Sequence, residues 1–191
     1  MDTKAAEVLQ FWFGDGPPYA DRPEWFRKSD AFDREIERRF AALIETALQD
    51  GLAAWAAEPA TALARVILLD QFPRNVFRNT PKAFAGDPLA LAAARAMVER
   101  GQHTALAPVQ RVFVYLPFEH AEDLAAQDTS VQLFGDLARE APEAGAGWLD
   151  YAERHHAIVA RFGRFPHRNA ILGRPSTPEE TAFLSQPGSS F

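Results

Sequence analysis

The feature that most constrains this chain is a nearly all-apolar run from Thr61 to Phe72. A buried strand is one alternative, because the stretch from Val66 to Leu69 alone would suit one. The length of the run and its alanine content favour a helix. A helix that is apolar on all sides must lie in the centre of a domain. We expect Pro73 to end it, because proline lacks an N–H and clashes with the preceding turn.

The rest of the chain predicts further helices and no strands. Phe32, Ile36, Phe40 and Leu43 recur at spacings of three and four, which indicates an amphipathic helix over about 30–49, with Asp30 as its N-cap. By similar signals we predict helices over 3–13, 88–100, 108–117, 119–127, 128–141 and 148–162, a flexible link over 142–147 and a last helix after the capping box at 177–180. The predicted fold is all-α, a compact multi-helix domain with antiparallel helix pairs and no regular sheet.

Composition narrows the class of protein. With 191 residues we expect one domain over 1–185 and a mobile tail over 186–191. The net charge of −6 argues against a nucleic-acid partner, and the absence of cysteine excludes disulfides and thiolate chemistry. The N-terminal residues lack a signal-peptide pattern, and the longest aliphatic run is too short to span a membrane. We therefore expect a soluble, cytoplasmic protein without metal or cofactor; the oligomeric state stays open.

Two short segments share a Phe-Pro turn followed by Arg and Asn. One lies within Arg161–Arg174 and the other is Gln71–Asn75. No acid occurs between Arg154 and Pro178, so the first segment belongs to a local cationic block in an acidic protein. We expect the phenylalanines to anchor both turns in the core, and the two turns to meet. Arginine forks held in this way suit a carboxylate or phosphate ligand.

The predicted ligand-binding set extends from these turns to nearby acids and histidines. Asp70, at the end of the apolar helix, needs a cation if it is buried, and Arg74 at i+4 is the nearest. Arg and Asn side chains also cap helix ends, so a purely structural role for the turns stays open. The full predicted set is Asp70, Arg74, Asn75, Arg78, Glu119, His120, Asp123, Arg164, His167, Arg168 and Asn169.

A second pattern, Glu119 to Asp123, places two acids beside a histidine. On a helix, Glu119 would share a face with Glu122 or Asp123. His120 is then a candidate proton carrier oriented by a carboxylate, with His167 and Glu119 as further catalytic candidates. The alternative is that these acids simply pair with the arginine block. A metal site is not expected, since no second histidine pair stands at matched spacing.

Several of these segments together resemble a known family. They are FWFG at 11–14, LDQFPRN at 69–75, PFEHAED at 117–123 and RFGRFPHRN at 161–169, with LGR at 172–174 and ST at 176–177. They are similar to the bacterial family called domain of unknown function 924, over nearly the whole chain. The resemblance implies a tetratricopeptide-like helical fold and no particular activity. Ala121 stands where the family usually has Ser, so no hydroxyl nucleophile is expected there, and Asn79 stands where Gly is usual.

Three hypotheses follow from the sequence. The preferred one is a protein that binds a small anionic ligand or an acidic peptide end at the Arg/Asn/His cluster. The second is a hydrolase-type enzyme that uses His120 or His167 with a carboxylate partner. The third is a scaffold in which internal acids saturate the arginines, namely Asp70, Glu119, Glu122 and Asp123.

Overall fold

The apolar run forms a helix, α3 (Pro59–Val76), at the centre of the protein. The computed structural model describes residues 2–19, 22–25 and 27–189, apart from the side chains of residues 144 and 146. Within them α3 packs against four of seven further helices, α1, α2, α4 and α5. The seven are α1 (Thr3–Phe13), α2 (Asp30–Leu48), α4 (Asp87–Glu99), α5 (Pro108–Glu119), α6 (Leu124–Glu140), α7 (Pro142–Phe162) and α8 (Pro178–Leu184). These described residues contain no strand, which confirms the all-α class. The tetratricopeptide-like arrangement stays a prediction.

The prediction that Pro73 ends the central helix is wrong, because α3 continues to Val76. Proline at this position removes the bond that the Leu69 carbonyl would accept in the helix. The backbone of Gly86, just before α4, packs directly against this freed carbonyl: a Cβ built on Gly86 would lie 2.1 Å from the Leu69 oxygen. The side chain of Arg74 donates from Nη1 to the Asp70 carbonyl at 2.8 Å. The helix therefore continues through the proline, with Gly86 packed on the freed carbonyl and the Arg74 side chain bonded to the next one.

The predicted break at Pro117 and helix over 119–127 are also wrong. Helix α5 runs through Pro117 to Glu119, and the chain then turns before α6 begins at Leu124. Gln127 supports the turn from α6, since its Nε2 donates to the Glu119 carbonyl at 2.6 Å and to the Ala121 carbonyl at 2.8 Å. Glu119 and Asp123 thus do not share a helical face.

The segment 142–147 is not the predicted flexible link but the first turns of α7. A Cβ on Gly145 would lie 2.6 Å from the Ala138 Cα of α6, so the glycine allows the two helices to approach closely. Helices α6 and α7 are joined only through Ala141, which makes them an antiparallel hairpin. Small residues that suggested flexibility therefore serve close packing here.

Local signals at the helix ends were predicted with mixed success. The N-cap of α2 is Ser29, not Asp30, and its Oγ accepts from the Phe32 N–H at 3.3 Å. The predicted capping box of α8 is confirmed, with reciprocal bonds between Thr177 and Glu180.

Asn79, which stands where the family usually has Gly, adopts φ 60°, in the left-handed region that glycine favours. Residues 190 and 191 of the predicted tail lie outside the described residues.

No helix in the described part of the chain is both long and apolar enough to cross a membrane.

The contact between Gly86 and Leu69 predicts a steric effect on stability. Gly86 has φ −85°, a value open to any residue, so only the collision of a Cβ with the Leu69 carbonyl penalises Gly86→Ala. We expect this change to lower the free energy of unfolding by about 1–3 kcal/mol, measured by urea denaturation.

The matched control is Gly135→Ala inside α6, where the nearest atom to a Cβ is 4.0 Å away. This change should raise the free energy of unfolding by about 0.5–1 kcal/mol, because alanine suits a helix better than glycine. Equal stability of Gly86→Ala and the wild type would refute the close contact.

Candidate functional site

The two Phe-Pro segments come together, as predicted, although the first lies within α3 and is not a turn, and Asp87 joins them. Arg74 donates from Nη1 and Nη2 to the two Asp87 oxygens at 2.7 and 3.1 Å. Arg168 donates from Nη1 to Asp87 Oδ2 at 3.2 Å. Phe72 and Phe165, which precede the two prolines, are fully buried and anchor the two segments in the core. The first residue of α4 therefore bridges the central helix and the C-terminal segment.

Arg168 is stacked between two aromatic rings. Its guanidinium carbon lies 4.7 Å from the ring centroid of Phe84 and 4.6 Å from that of Phe165. Its side chain is only 7% exposed. Burial, followed by the charge of Arg74, lowers the pKa of Arg168 to about 10, so it stays charged at neutral pH. Only Nη1 has a hydrogen bond within the described residues, and Nε is buried without a partner there.

A buried carboxylate and a histidine form the centre of the cluster. Asp70, predicted to need Arg74, has no exposed surface and lies 3.3 Å from Arg74 Nη1. Its Oδ1 is 2.7 Å from His120 Nδ1, and its Oδ2 accepts from Gln71 Nε2 at 2.5 Å. The His120 side chain keeps 15% exposure, and Nε2 bonds to none of the described residues. Asp70 therefore holds one edge of the imidazole while the other faces outward.

Electrostatics assign protonation states to this pair. Burial by itself raises the pKa of Asp70, but the charges of a protonated His120 and of Arg74, with the hydrogen bonds from His120 and Gln71, bring it well below its usual range. Burial, then the charge of Arg74, lowers the pKa of His120. At neutral pH the pair is an ionised carboxylate beside a neutral imidazole that can accept a proton.

A second carboxyl–histidine pair lies behind the first. Glu119 is 3% exposed, and its Oε1 is 3.2 Å from His155 Nδ1, which donates to the Tyr151 carbonyl at 2.8 Å. The rings of His155 and His120 are 6.4 Å apart. Burial, followed by the charge of Asp70, raises the pKa of Glu119 to about 8, and burial lowers the pKa of His155 to about 3. Both inner groups are therefore neutral at neutral pH.

His167 lies at the edge of the cluster, with its ring 5.6 Å from that of Phe165. Burial, then the charge of Arg168, lowers the pKa of His167 to about 4. The ring of His120, by comparison, is held by the buried carboxylate of Asp70 at 2.7 Å. Because this carboxylate fixes the orientation of its ring, His120 is the better placed of the two catalytic candidates.

The other predicted residues lie in separate places. Asn75 and Arg78 both bind Asp33 of α2, through contacts of 2.8 Å from Asn75 and of 2.6 and 3.1 Å from Arg78. Asp123 is the N-cap of α6 and lies 3.3 Å from Arg95 on the surface. These contacts link helices and do not reach the Asp70 cluster.

Arg164 and Asn169 belong to a C-terminal clamp, formed with Glu122, Arg174 and Glu180. Arg164 binds both oxygens of Glu180, which is 2% exposed, and Asn169 Nδ2 lies 3.3 Å from the same carboxylate. Arg174 binds both oxygens of Glu122, one of which also accepts from the Phe165 N–H at 2.7 Å. The clamp fixes the segment that presents Arg168.

Asp87, Phe84 and His155 were absent from the predicted site. Asp87 followed by proline has the pattern of a helix start, and this local explanation hid its role as a partner of two arginines. His155 was predicted to be solvated or packed in the core; it is buried 3.2 Å from Glu119. One sequence signal could have pointed to Asp87. The arginine block has no acid of its own, and buried arginines need carboxylate partners from elsewhere in the chain.

None of the described residues form a group of three or more His, Cys, Asp or Glu side chains that could hold a metal ion.

Fold and geometry define an all-helical protein with a buried Asp–His–Arg cluster between its central helix and its C-terminal segment. Residues 8–188 match the family described as "Bacterial protein of unknown function (DUF924)", so the chain belongs to that family, as the resemblance implied. A solved structure, of the protein of unknown function ATU0120 from Agrobacterium tumefaciens, is 44% identical, covers 96% of this chain and 99% of its own, and has a TM-score of 0.85. Comparison with curated proteins finds no match.

The raised pKa of Glu119 predicts a pH effect on stability. The pKa of this carboxyl is 4.5 in the unfolded chain and is raised to about 8 in the folded protein. Between these values this group binds more protons in the folded state, so its contribution to wild-type stability falls as pH rises. Glu119→Gln removes this contribution. The variant should gain free energy of unfolding relative to wild type from pH 5 to 8, and the difference should level off above 8.

Urea denaturation at five pH values measures this difference. Glu153→Gln, an exposed change on α7, is the control and should follow the wild type throughout. A constant difference between Glu119→Gln and the wild type would show that Glu119 ionises normally.

Proposed function

We propose that the protein is a hydrolase-type enzyme in which His120 is the general base and Asp70 orients it. The main observation is the 2.7 Å contact between Asp70 Oδ1 and His120 Nδ1, with a fully buried carboxylate and a partly exposed imidazole. A carboxylate on Nδ1 fixes the proton there and leaves Nε2 as the acceptor.

The chemistry proceeds through water. The residue after His120 is Ala121, so no hydroxyl nucleophile follows the base. His120 Nε2 takes a proton from a water molecule, whose oxygen attacks the acyl or phosphoryl centre of the substrate. The bond to the leaving group breaks, and the leaving group receives the proton from His120. Asp70 stays ionised and stabilises the imidazolium.

Arg168 favours an anionic substrate. Its Nη1 is the only guanidinium nitrogen that donates to a partner among the described residues. Arg74, Arg78, Arg164 and Arg174 each bind a carboxylate through two nitrogens. Most of the arginine block is thus paired internally, but mainly with Asp33, Asp87 and Glu180 instead of the acids that the scaffold hypothesis named. Arg168, by contrast, retains donors for a ligand oxyanion.

Turnover of p-nitrophenyl esters and phosphates tests the proposal. His120→Asn keeps an N–H donor near the position of Nδ1 and removes the base. We expect it to fold and to lose about 100-fold or more in kcat/KM. Because the pKa of His120 is lowered, wild-type kcat/KM should rise with pH below about 6.5 and stay flat through pH 7.

The control is His156→Asn, since His156 pairs with Asp128 on the surface. Wild-type kcat/KM in folded His120→Asn, or no turnover by the wild type across the panel, would refute the general-base role.

A second function, anion binding without turnover, is favoured by the spare donors of Arg168. Phosphate, sulfate and succinate should then raise the melting temperature of the wild type by several degrees at concentrations well above Kd. Arg168→Met keeps apolar volume between the two rings and should abolish the shift, whereas Arg168→Lys should retain part of it. A melting temperature that no anion moves would refute anion binding.

A further inference from the structure

A cleft of about 240 Å³ lies between the start of α3 and the end of α4. Arg65 and Ala62 contribute to it from α3, and Ala93 and Met97 from α4. Arg74 meets Asp87 at the other end of this helix pair. The cleft is therefore separate from the Asp70–His120 cluster.

Two cations face one carboxylate at this cleft. Arg65 and Arg100 line it together with Asp50, whose side chain is 68% exposed. Arg65 is itself 11% exposed in its side chain and donates from Nη2 to Asp50 at 2.7 Å. Its Nε is buried without a partner in the described part of the chain, and Nη1 also has no bond there. The excess of one positive charge and the unbonded nitrogens of Arg65 both favour the binding of an anion in this cleft.

Gln102 adds an acceptor of fixed orientation. Its Nε2 donates to the carbonyls of Ala56 and Ala57, each at 3.1 Å. Rotating the amide would place an oxygen against two carbonyls, so Oε1 must be the free end. Oε1 is buried and has no partner within the described residues. An acceptor buried without a partner destabilises the folded protein, and an N–H or O–H group of a ligand in the cleft would satisfy it.

We propose that this cleft binds a small carboxylate that bears a short apolar group and one hydrogen-bond donor, such as an N-acyl amino acid or a hydroxy acid. Arg65 and Arg100 bind the carboxylate, and Gln102 accepts from the donor. The apolar group packs on the α4 wall, where Ala93 and Ala96 are partly exposed and Met97 is buried. The volume lies just below the roughly 300 Å³ at which drug-sized pockets begin, which fits a ligand of metabolite size.

Calorimetric titration with N-acetyl-leucine and with phenyllactate tests the site. We expect the wild type to bind at least one of them, and to bind N-acetyl-leucinamide, which lacks the negative charge, at least tenfold more weakly. Ala96→Leu fills the cleft and should weaken binding at least tenfold. Arg65→Met removes the charge, keeps much of the buried stem, and should have the same effect.

The His120→Asn variant separates this cleft from the Asp70–His120 cluster. It should bind as the wild type does, so a failure of the hydrolase proposal leaves this one intact. If Arg65→Met does not fold, the binding measured with Ala96→Leu decides between the outcomes. We expect this variant to fold, because it adds apolar volume at a half-buried position of a helix. Absence of binding by the wild type, equal binding of the amide, or unchanged binding by Ala96→Leu would each overturn the proposal.

Discussion

The burial of the Asp70 carboxylate is the constraint on which much of this structure depends. A charge with no exposed surface is stable only if cations and donors surround it. Arg74 and Gln71 come from the same helix, and His120 comes from the turn after α5. Arg74 in turn binds Asp87, which also holds Arg168. One buried charge thus links the central helix to α4, to the α5–α6 turn and to the C-terminal segment.

Backbone geometry makes this arrangement possible. Pro73 deprives the Leu69 carbonyl of its helical partner, and Gly86 packs on that carbonyl because it lacks a Cβ. Asp87 is the next residue, so the contact places its carboxylate beside Arg74. Proline and glycine, which usually break helices, here set the separation of two helices and the position of a charged side chain.

Much of the fold could be predicted from the sequence, since the nearly apolar run and the amphipathic stripes are local patterns. Three residues grouped from the sequence, Asp70, Arg74 and His120, do lie in one cluster, whereas Asn75 lies with Asp33. That they bind a ligand stays a prediction. These errors have one cause. Proline and the Ala/Gly segment at 142–147 were interpreted from local propensity, and tertiary contacts outweigh propensity where a neighbouring element packs closely against the segment.

The sequence by itself determined the all-α class, the central position of α3 and the burial of the two Phe-Pro segments. These follow from hydrophobic periodicity and apolar content, which are properties of residues close together in the chain. Only the tertiary structure decided that most arginines are paired, that Arg168 keeps spare donors, and that His120 faces outward from Asp70. Pairing depends on distances between residues far apart in the chain, such as Asp87 and Arg168, and no local pattern encodes those distances.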